Sequence, residues 1–377
     1  MASSTVLGVA ARVIRAAGPE HPADAVLRQE LKAHRRLSAG EAGQISRAVF
    51  SYYRWHGWLT KDAGEEAQLE RALALAQRFA KEPGSFHDDD LVARTVPAWL
   101  GAEMKVTLAW ARALQAEPKL WLRARPGQGR VVAAKLTDCH LFGEGALAEI
   151  LEYRGKNDLF RTPQFHAGEF ELQDISSQAV GLLCGPKPGE AWWDACAGEG
   201  GKTLHLSDLM QNRGLIWASD RATWRLQRLK RRAARARMFN YRSAAWDGEA
   251  KLPTKTKFDG VLLDAPCSGI GTWHRNPHAR WTTTLRDVQE LSALQRKLLA
   301  NAAGAVKPGG KLIYAVCTLS CAETREVAKD FQQRFSGFEP LELRNPLVPK
   351  EQPTEELYLL PQDFGGNGMF VAAWSRR

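Results

Sequence analysis

In the N-terminal part of the chain, apolar positions recur at spacings of three and four with no alternation, the period of a helix face. The opening stretch MASSTVLGVAARVIRAAG reads as a helix with Arg12 and Arg15 set among small apolar residues. Ser38 and Glu41 have capping-box spacing and open a helix whose inner face carries Ile45, Val49, Tyr52 and Tyr53. The stretch RRLSAGEAGQISRAVFSYYRWHGWL reads either as a packed helix or, through Arg35, Arg36, Arg47 and Arg54, as an RNA contact. The segment KEPGSFHDDD, residues 81–90, predicts the end of this bundle, because Pro83 and Gly84 oppose helix continuation and three successive aspartates repel. A short helix from Trp99 to Leu114 follows.

Beyond Pro118 the pattern changes. WLRAR and VVAAKL predict strands and GEGALAEILEY a helix, giving a small α/β module over 117–165. From about residue 170 the strand-like runs AWWDACAG, GLIWASD, FDGVLLDAP, KLIYAVCT and MFVAAW alternate with helical ones. That rhythm predicts an α/β fold with a doubly wound sheet, whose ligands bind at the carboxyl ends of the strands. A chain of 377 residues is long enough for two or three cores, and the breaks divide it at 1–90, 91–167 and 168–377.

The first strand runs into Asp194-Ala195-Cys196-Ala197-Gly198-Glu199-Gly200-Gly201-Lys202-Thr203, glycines that let the backbone turn sharply at a helix start and approach a ligand closely. A nucleoside triphosphatase loop fails here, since Cys196 stands where its first glycine belongs, and a dinucleotide fingerprint fails at Thr203. Acids end the following strands: Asp220, Asp247 and Asp264. Asp220 is placed to accept from ribose hydroxyls and Asp247 from an exocyclic amine. One such aspartate is more often a cap or turn residue; acids on consecutive strand ends shift the balance toward a ligand.

Composition narrows the setting. The six cysteines are scattered rather than spaced as a disulfide framework, which suits a reducing cytoplasm. No apolar run approaches the roughly 20 residues of a membrane span, and the opening segment lacks the pattern of a secretory signal. The 52 Lys and Arg against 42 Asp and Glu give a net charge of +10. That excess fits either a polyanionic partner or a plain basic surface. Cys139, Cys184 and Cys196 read as small buried residues rather than nucleophiles. Cys267, in DAPCSGIGTWHRNPHARW, and Cys317, in YAVCTLSCAETREV, each follow a predicted strand and should face one cleft.

These segments, with GEFELQDISSQAVGLL, DACAGEGGKT, VKPGGKLIYAVCT and FGGNGMFVAAW in the same order, resemble the RNA cytosine-5 methyltransferases of the Nop/Sun group, closest to its RsmB-like bacterial small-subunit rRNA branch. The likeness covers nearly all of 168–377. PKLWLRARP resembles the group's small RNA-binding subdomain, and residues 1–90 resemble its NusB-like helical extension. The resemblance implies a Rossmann-like class I methyltransferase domain using S-adenosylmethionine, with Cys317 as nucleophile and Cys267 assisting product release. It also implies that Asp194, Cys196, Ala197, Gly198, Glu199, Gly200, Gly201, Lys202, Asp220, Arg225, Asp247 and Asp264 hold the cofactor, with Asp264 also catalytic. No metal is expected. Departures are Gly198-Glu199 where Ala-Pro is usual, His278 where Asp is common, and Val316 where Thr is usual.

Carbon 5 of cytosine is a poor nucleophile until a thiolate adds at carbon 6, which is why this chemistry needs a cysteine. Asp264, if protonated or paired, could hydrogen-bond N3 of the ring as charge builds there. Lys202 and Arg275 could lower a thiolate pKa or grip phosphate, or simply pair with acids. The run Arg225, Arg228, Lys230, Arg231, Arg232, Arg235 and Arg237 reads as a contact for RNA backbone or as a solvated helix face. The target cytosine must leave its stack, so single-stranded or loop RNA is the expected substrate, met by a monomer. Three other readings stand: a non-catalytic RNA-binding ribosome assembly factor, a methyltransferase acting on tRNA, and a DNA enzyme using Cys267 as nucleophile.

Overall fold

The computed structural model describes residues 4–34, 37–60 and 62–377. The chain forms two compact units, Met1–Pro118 with Ser268–Val288 and Pro361–Gly365, and Lys119–Cys267 with Gln289–Leu360 and Gly366–Arg377.

The first unit is helical. Helices Ser4–Ala16, Ala39–Arg54 and Glu65–Lys81 bury Val6, Ile45, Val49, Leu69 and Leu75 in one core. The capping box forms: the Ser38 amide donates to Glu41 Oε2 at 2.8 Å, and the Glu41 amide to Ser38 Oγ at 3.2 Å. Asp88, Asp89 and Asp90 do not break the bundle. They make the first turn of a helix, Asp88–Arg94, where negative charge meets the positive end of the helix dipole. The core continues through Leu91 and Ala111, past the expected boundary at 90. The expected helix from Trp99 to Leu114 is two pieces, a 3₁₀ turn at Ala98–Ala102 and a helix at Leu108–Gln115 capped by Thr107.

Arg280 is fully buried at the meeting point of three helix ends. Its guanidinium donates to Arg54 O (3.3 Å), Thr95 O (3.0 Å) and Leu114 O (3.0 Å), carbonyls at the carboxyl ends of helices Ala39–Arg54, Asp88–Arg94 and Leu108–Gln115. Such ends carry partial negative charge and unpaired carbonyls, so the cation is held without a carboxylate. Burial first, and Arg54 second, push its pKa down to about 9. Arg280→Met should therefore lower the stability of this unit by about 3 kcal/mol, since buried carbonyls lose their donor. Urea unfolding within about 0.5 kcal/mol of the parent would deny Arg280 that role.

The second unit holds two sheets. The smaller contains β1 (Leu120–Ala124), β2 (Cys139–Leu141), β3 (Ile150–Tyr153) and β4 (Phe170–Leu172), all antiparallel in the order β2-β3-β1-β4. Two expectations are corrected here. VVAAKL lies in a helix, Gly129–Lys135, and GEGALAEILEY is a 3₁₀ turn leading into strand β3. Short apolar runs do not show their period; Val132 and Leu136 turn inward with Gly129 while Val131 faces out, whereas Ile150, Leu151 and Tyr153 lie buried on a strand paired on both sides.

The larger sheet contains β5 (Ala191–Asp194), β6 (Leu215–Asp220), β7 (Tyr241–Ala245), β8 (Phe258–Asp264), β9 (Val306–Val316), β10 (Phe338–Pro340), β11 (Glu356–Leu359) and β12 (Met369–Arg376). Its order is β10-β12-β9-β8-β5-β6-β7, with β5 to β9 parallel and β12 antiparallel to β9. Trp193, Phe258, Leu263, Tyr314 and Phe370 fill its core. This is the expected doubly wound sheet, and it places the carboxyl ends of β5, β6, β8 and β9 along one edge.

Candidate active site

The cleft at that edge encloses about 420 Å³. Gly198 (φ +55°) and Gly200 (φ +87°) adopt left-handed backbone, so the chain turns from β5 into helix Gly201–Leu209 with no side chain in the bend. Asp220 at the end of β6 fixes this loop: its carboxylate accepts from the Gly198 amide at 3.0 Å and the Ala222 amide at 2.8 Å. Asp194 is fully buried and accepts from Thr203 Oγ1 at 2.6 Å through one oxygen, while the other has no protein donor. Burial, reinforced by Asp264 and Asp220 and opposed by Thr203, pushes the Asp194 pKa up to about 7.

At the end of β8, Asp264 accepts from Lys202 Nζ at 2.6 Å. Burial opposes the Lys202 ammonium, yet Asp264, through charge and hydrogen bond, with Cys317 and Asp194 adding to it, holds the pKa above its ordinary value. Asp264 is thus an acceptor here, and Lys202 the donor beside the thiols. Cys267 and Cys317, at the ends of adjacent strands β8 and β9, bring their Sγ atoms to 3.3 Å.

Buried polar groups hold the two cysteine loops in register. Gln295 Nε2 donates to Pro266 O at 2.9 Å and to Glu323 Oε1 at 3.0 Å. Thr318 Oγ1 and Ser320 Oγ both donate to Glu323 Oε2 at 3.0 Å. Tyr314 donates to Gln295 Oε1 at 3.0 Å and Glu323 O at 2.7 Å.

Of the residues expected from sequence, Asp194, Cys196, Ala197, Gly198, Glu199, Gly201, Lys202, Asp220, Arg225, Asp247, Asp264, Cys267 and Cys317 line this cleft; Gly200 shapes the loop but does not line it. Cys196 stays a neutral thiol, its pKa raised by burial and the surrounding aspartates. Cys139 and Cys184 are buried. The cleft is also lined by Ser177, Arg221, Trp246, Gly248, Ala265, Pro266, Leu294 and Leu298, which the sequence reading did not single out. The two leucines have ordinary helix-core spacing in Leu285–Ala303, and nothing in the chain marks them as cleft walls. Arg275 and His278 belong to the helical unit, where His278 packs edge-on against Tyr53 with ring centroids 4.7 Å apart.

The basic helix is not uniformly free. Arg232 and Arg235 pair with Glu171 at 2.9 and 2.7 Å, Arg228 pairs with Glu199 at 2.5 Å, and Arg225 lies 3.9 Å from Asp220. Burial opposes the Glu171 carboxylate, but Arg232, Arg235 and Arg125 hold its pKa below the usual range. Nearby Arg123 pairs with Asp208. These pairs dock the small sheet on helices Gly201–Leu209 and Thr223–Arg235. In the other unit, Arg54 is buried and Arg47 lies 3.9 Å from Glu117, whereas Arg35 and Arg36 lie outside the described residues.

The sheet order and the loop-and-acid cleft at its carboxyl edge are those of a Rossmann-like methyltransferase. A family profile described as 16S rRNA methyltransferase RsmB/F matches residues 182–375. The chain is 35% identical over 329 residues to a Synechocystis protein named probable ribosomal RNA small subunit methyltransferase B, an alignment covering 84% of this chain and 72% of that one. It is 37% identical over 168 residues to mouse tRNA (cytosine(72)-C(5))-methyltransferase NSUN6, covering 41% of this chain and 35% of the relative. The crystal structure of PH0851 shares the fold, with TM-score 0.80, 22% identity and 99% of each chain covered. The chain belongs to the RsmB/F family, and it is an RNA methyltransferase.

Proposed function

We propose that this protein methylates carbon 5 of a cytosine in small-subunit ribosomal RNA through a covalent adduct with Cys317. The observation that carries the reading is the pair of thiols 3.3 Å apart beside the Lys202–Asp264 pair at the mouth of an acid-lined cleft. One thiol suffices for nucleophilic attack; a second in contact supports a division between attack and release.

The cleft suits S-adenosylmethionine. The acceptor oxygen of Asp194 that lacks a protein donor, the Asp220 carboxylate and the open space at Gly198 and Gly201 fit a cationic ligand rich in hydroxyl and amine donors. Asp194, Gly198, Asp220 and Asp247 would hold it, and when bound it supplies an electrophilic methyl group. Asp220→Ala should weaken its binding by about 1–3 kcal/mol, because the carboxylate also fixes the loop amide at Gly198. Calorimetry giving an unchanged affinity would remove Asp220 from the site.

The chain's own residues supply the rest. The Cys317 thiolate adds to carbon 6 and pushes an electron pair toward carbon 5. Lys202, kept charged and oriented by Asp264, donates toward the ring where negative charge gathers. Once carbon 5 carries the methyl group, its proton passes to a general base, the electron pair left behind expels Cys317 from carbon 6 as a thiolate, and Cys267, in contact with Cys317, assists that departure. The residues 119–172 that carry the small sheet serve as the RNA-binding subdomain in this reading, and 1–118 as the NusB-like extension. Bisulfite mapping of small-subunit rRNA incubated with enzyme and cofactor should reveal one protected cytosine. Protection only in tRNA would redirect the substrate, and none in any RNA would refute the reading.

A further inference from the structure

Phe239 is 78% exposed, yet its backbone is held by side-chain hydrogen bonds from a neighbouring loop. Asn212 Oδ1 accepts from the amides of Phe239 (2.8 Å) and Asn240 (3.2 Å), and Asn212 Nδ2 donates to Arg237 O at 2.9 Å. The Asn240 side chain is held in turn by Ser207 Oγ at 2.7 Å and donates to Arg213 O at 3.3 Å. Gln211, Asn212 and Arg237 all take left-handed backbone, with φ of +54°, +57° and +53°. Non-glycine residues persist there only where surrounding bonds over-determine them. The preceding Met238 points inward, 5% exposed, so the loop is anchored beneath the ring.

The arginines on the neighbouring backbone have no acid partner among the described residues, and Arg213 Nη2 donates to the neutral Gln211 Oε1 at 2.6 Å. Among the described residues no carboxylate lies within ion-pair distance of Arg213, Arg237 or Arg242, in contrast to Arg228, Arg232 and Arg235 of the helix before it. No other ring among the described residues covers Phe239. The loop leads into β7, the outer strand of the sheet, whose Arg242 and Ser243 are exposed. A single exposed aromatic is unremarkable on most surfaces. One presented on a fixed loop, with arginines that lack a carboxylate partner on the neighbouring backbone, is the combination that binds single-stranded nucleic acid, the ring stacking on a base and the cations meeting phosphate.

We propose that Phe239, with Arg213, Arg237 and Arg242, forms a second RNA contact that stacks an unpaired base at the amino ends of β6 and β7, the opposite end of the strands from the cleft. The inference rests on RNA being the substrate. It adds cationic groups to those of the helix, where Arg228, Arg232 and Arg235 are taken up by Glu199 and Glu171.

The test uses the full chain and a labelled single-stranded RNA 16-mer, with a second 16-mer carrying abasic positions. Phe239→Ala should weaken binding of the normal 16-mer by about five-fold to a hundred-fold with the slope of affinity against salt unchanged, since no charge is removed. Phe239→Trp should retain affinity, and Arg237→Gln should lower the salt slope by about one. The abasic 16-mer should bind wild type and Phe239→Ala alike. Equal binding of the normal 16-mer by wild type and Phe239→Ala overturns the proposal, as does a mutant that binds RNA normally but loses self-association, which would make the ring a protein contact. If wild type binds no RNA at all, the proposed substrate fails with it, a result distinct from a normal-binding Phe239→Ala.

Discussion

Cys317→Ala should reduce RNA methylation by at least about a thousand-fold and leave no covalent protein–RNA species, whereas Cys267→Ala should accumulate one that survives denaturation. The two thiols touch, so a purely structural account would have them fail alike. The proposed cycle separates them. Without Cys317 nothing adds to carbon 6, and the ring never becomes nucleophilic. Without Cys267, addition and methylation still proceed and only departure is impaired, so protein and RNA remain joined. A denaturing gel with labelled RNA reads both outcomes. Trapping by Cys317→Ala with simple inactivity in Cys267→Ala would reverse the roles, and full activity in both would end the thiolate mechanism.

The parts of this site legible in the sequence are those whose chemistry is local. The loop from Asp194 to Thr203 announces its bend by glycines, and the left-handed angles at Gly198 and Gly200 are what those glycines permit. Asp220 and Asp264 end runs rich in aliphatic and aromatic residues, and both stand at strand ends in the cleft. What escaped the sequence depends on distant partners. Glu171 on β4 decides which arginines of Thr223–Arg235 remain available, and no periodicity along that helix reveals an acid on another strand. The aspartates at 88–90 repel one another in any extended chain but are favourable once a helix begins on them. The grouping of Ser268–Val288 and Pro361–Gly365 with the N-terminal helices is equally hidden, because it is made by contacts between segments far apart in the chain.

Glu323→Ala should lower kcat by about a hundred-fold or more while leaving S-adenosylmethionine affinity within about two-fold, the pattern of lost alignment rather than lost binding. Glu323 is fully buried and does not line the cleft. Its carboxylate accepts from Thr318 and Ser320, just after Cys317, and from Gln295, which also holds the carbonyl of Pro266, just before Cys267. One carboxylate therefore sets the spacing of both cysteine loops. Removing it takes an acceptor from three buried donors, of which Gln295 keeps Pro266 O, so the melting temperature should fall as well. Glu323→Gln separates alignment from folding. It keeps the volume and one acceptor oxygen, so most stability should return, while an NH₂ group facing Gln295 or the two hydroxyls still disturbs the register. Its kcat should lie between those of Ala and the parent. A Glu323→Ala enzyme that is destabilised but turns over at the parental rate would show that the thiol spacing is fixed elsewhere, by the pairing of β8 with β9 alone.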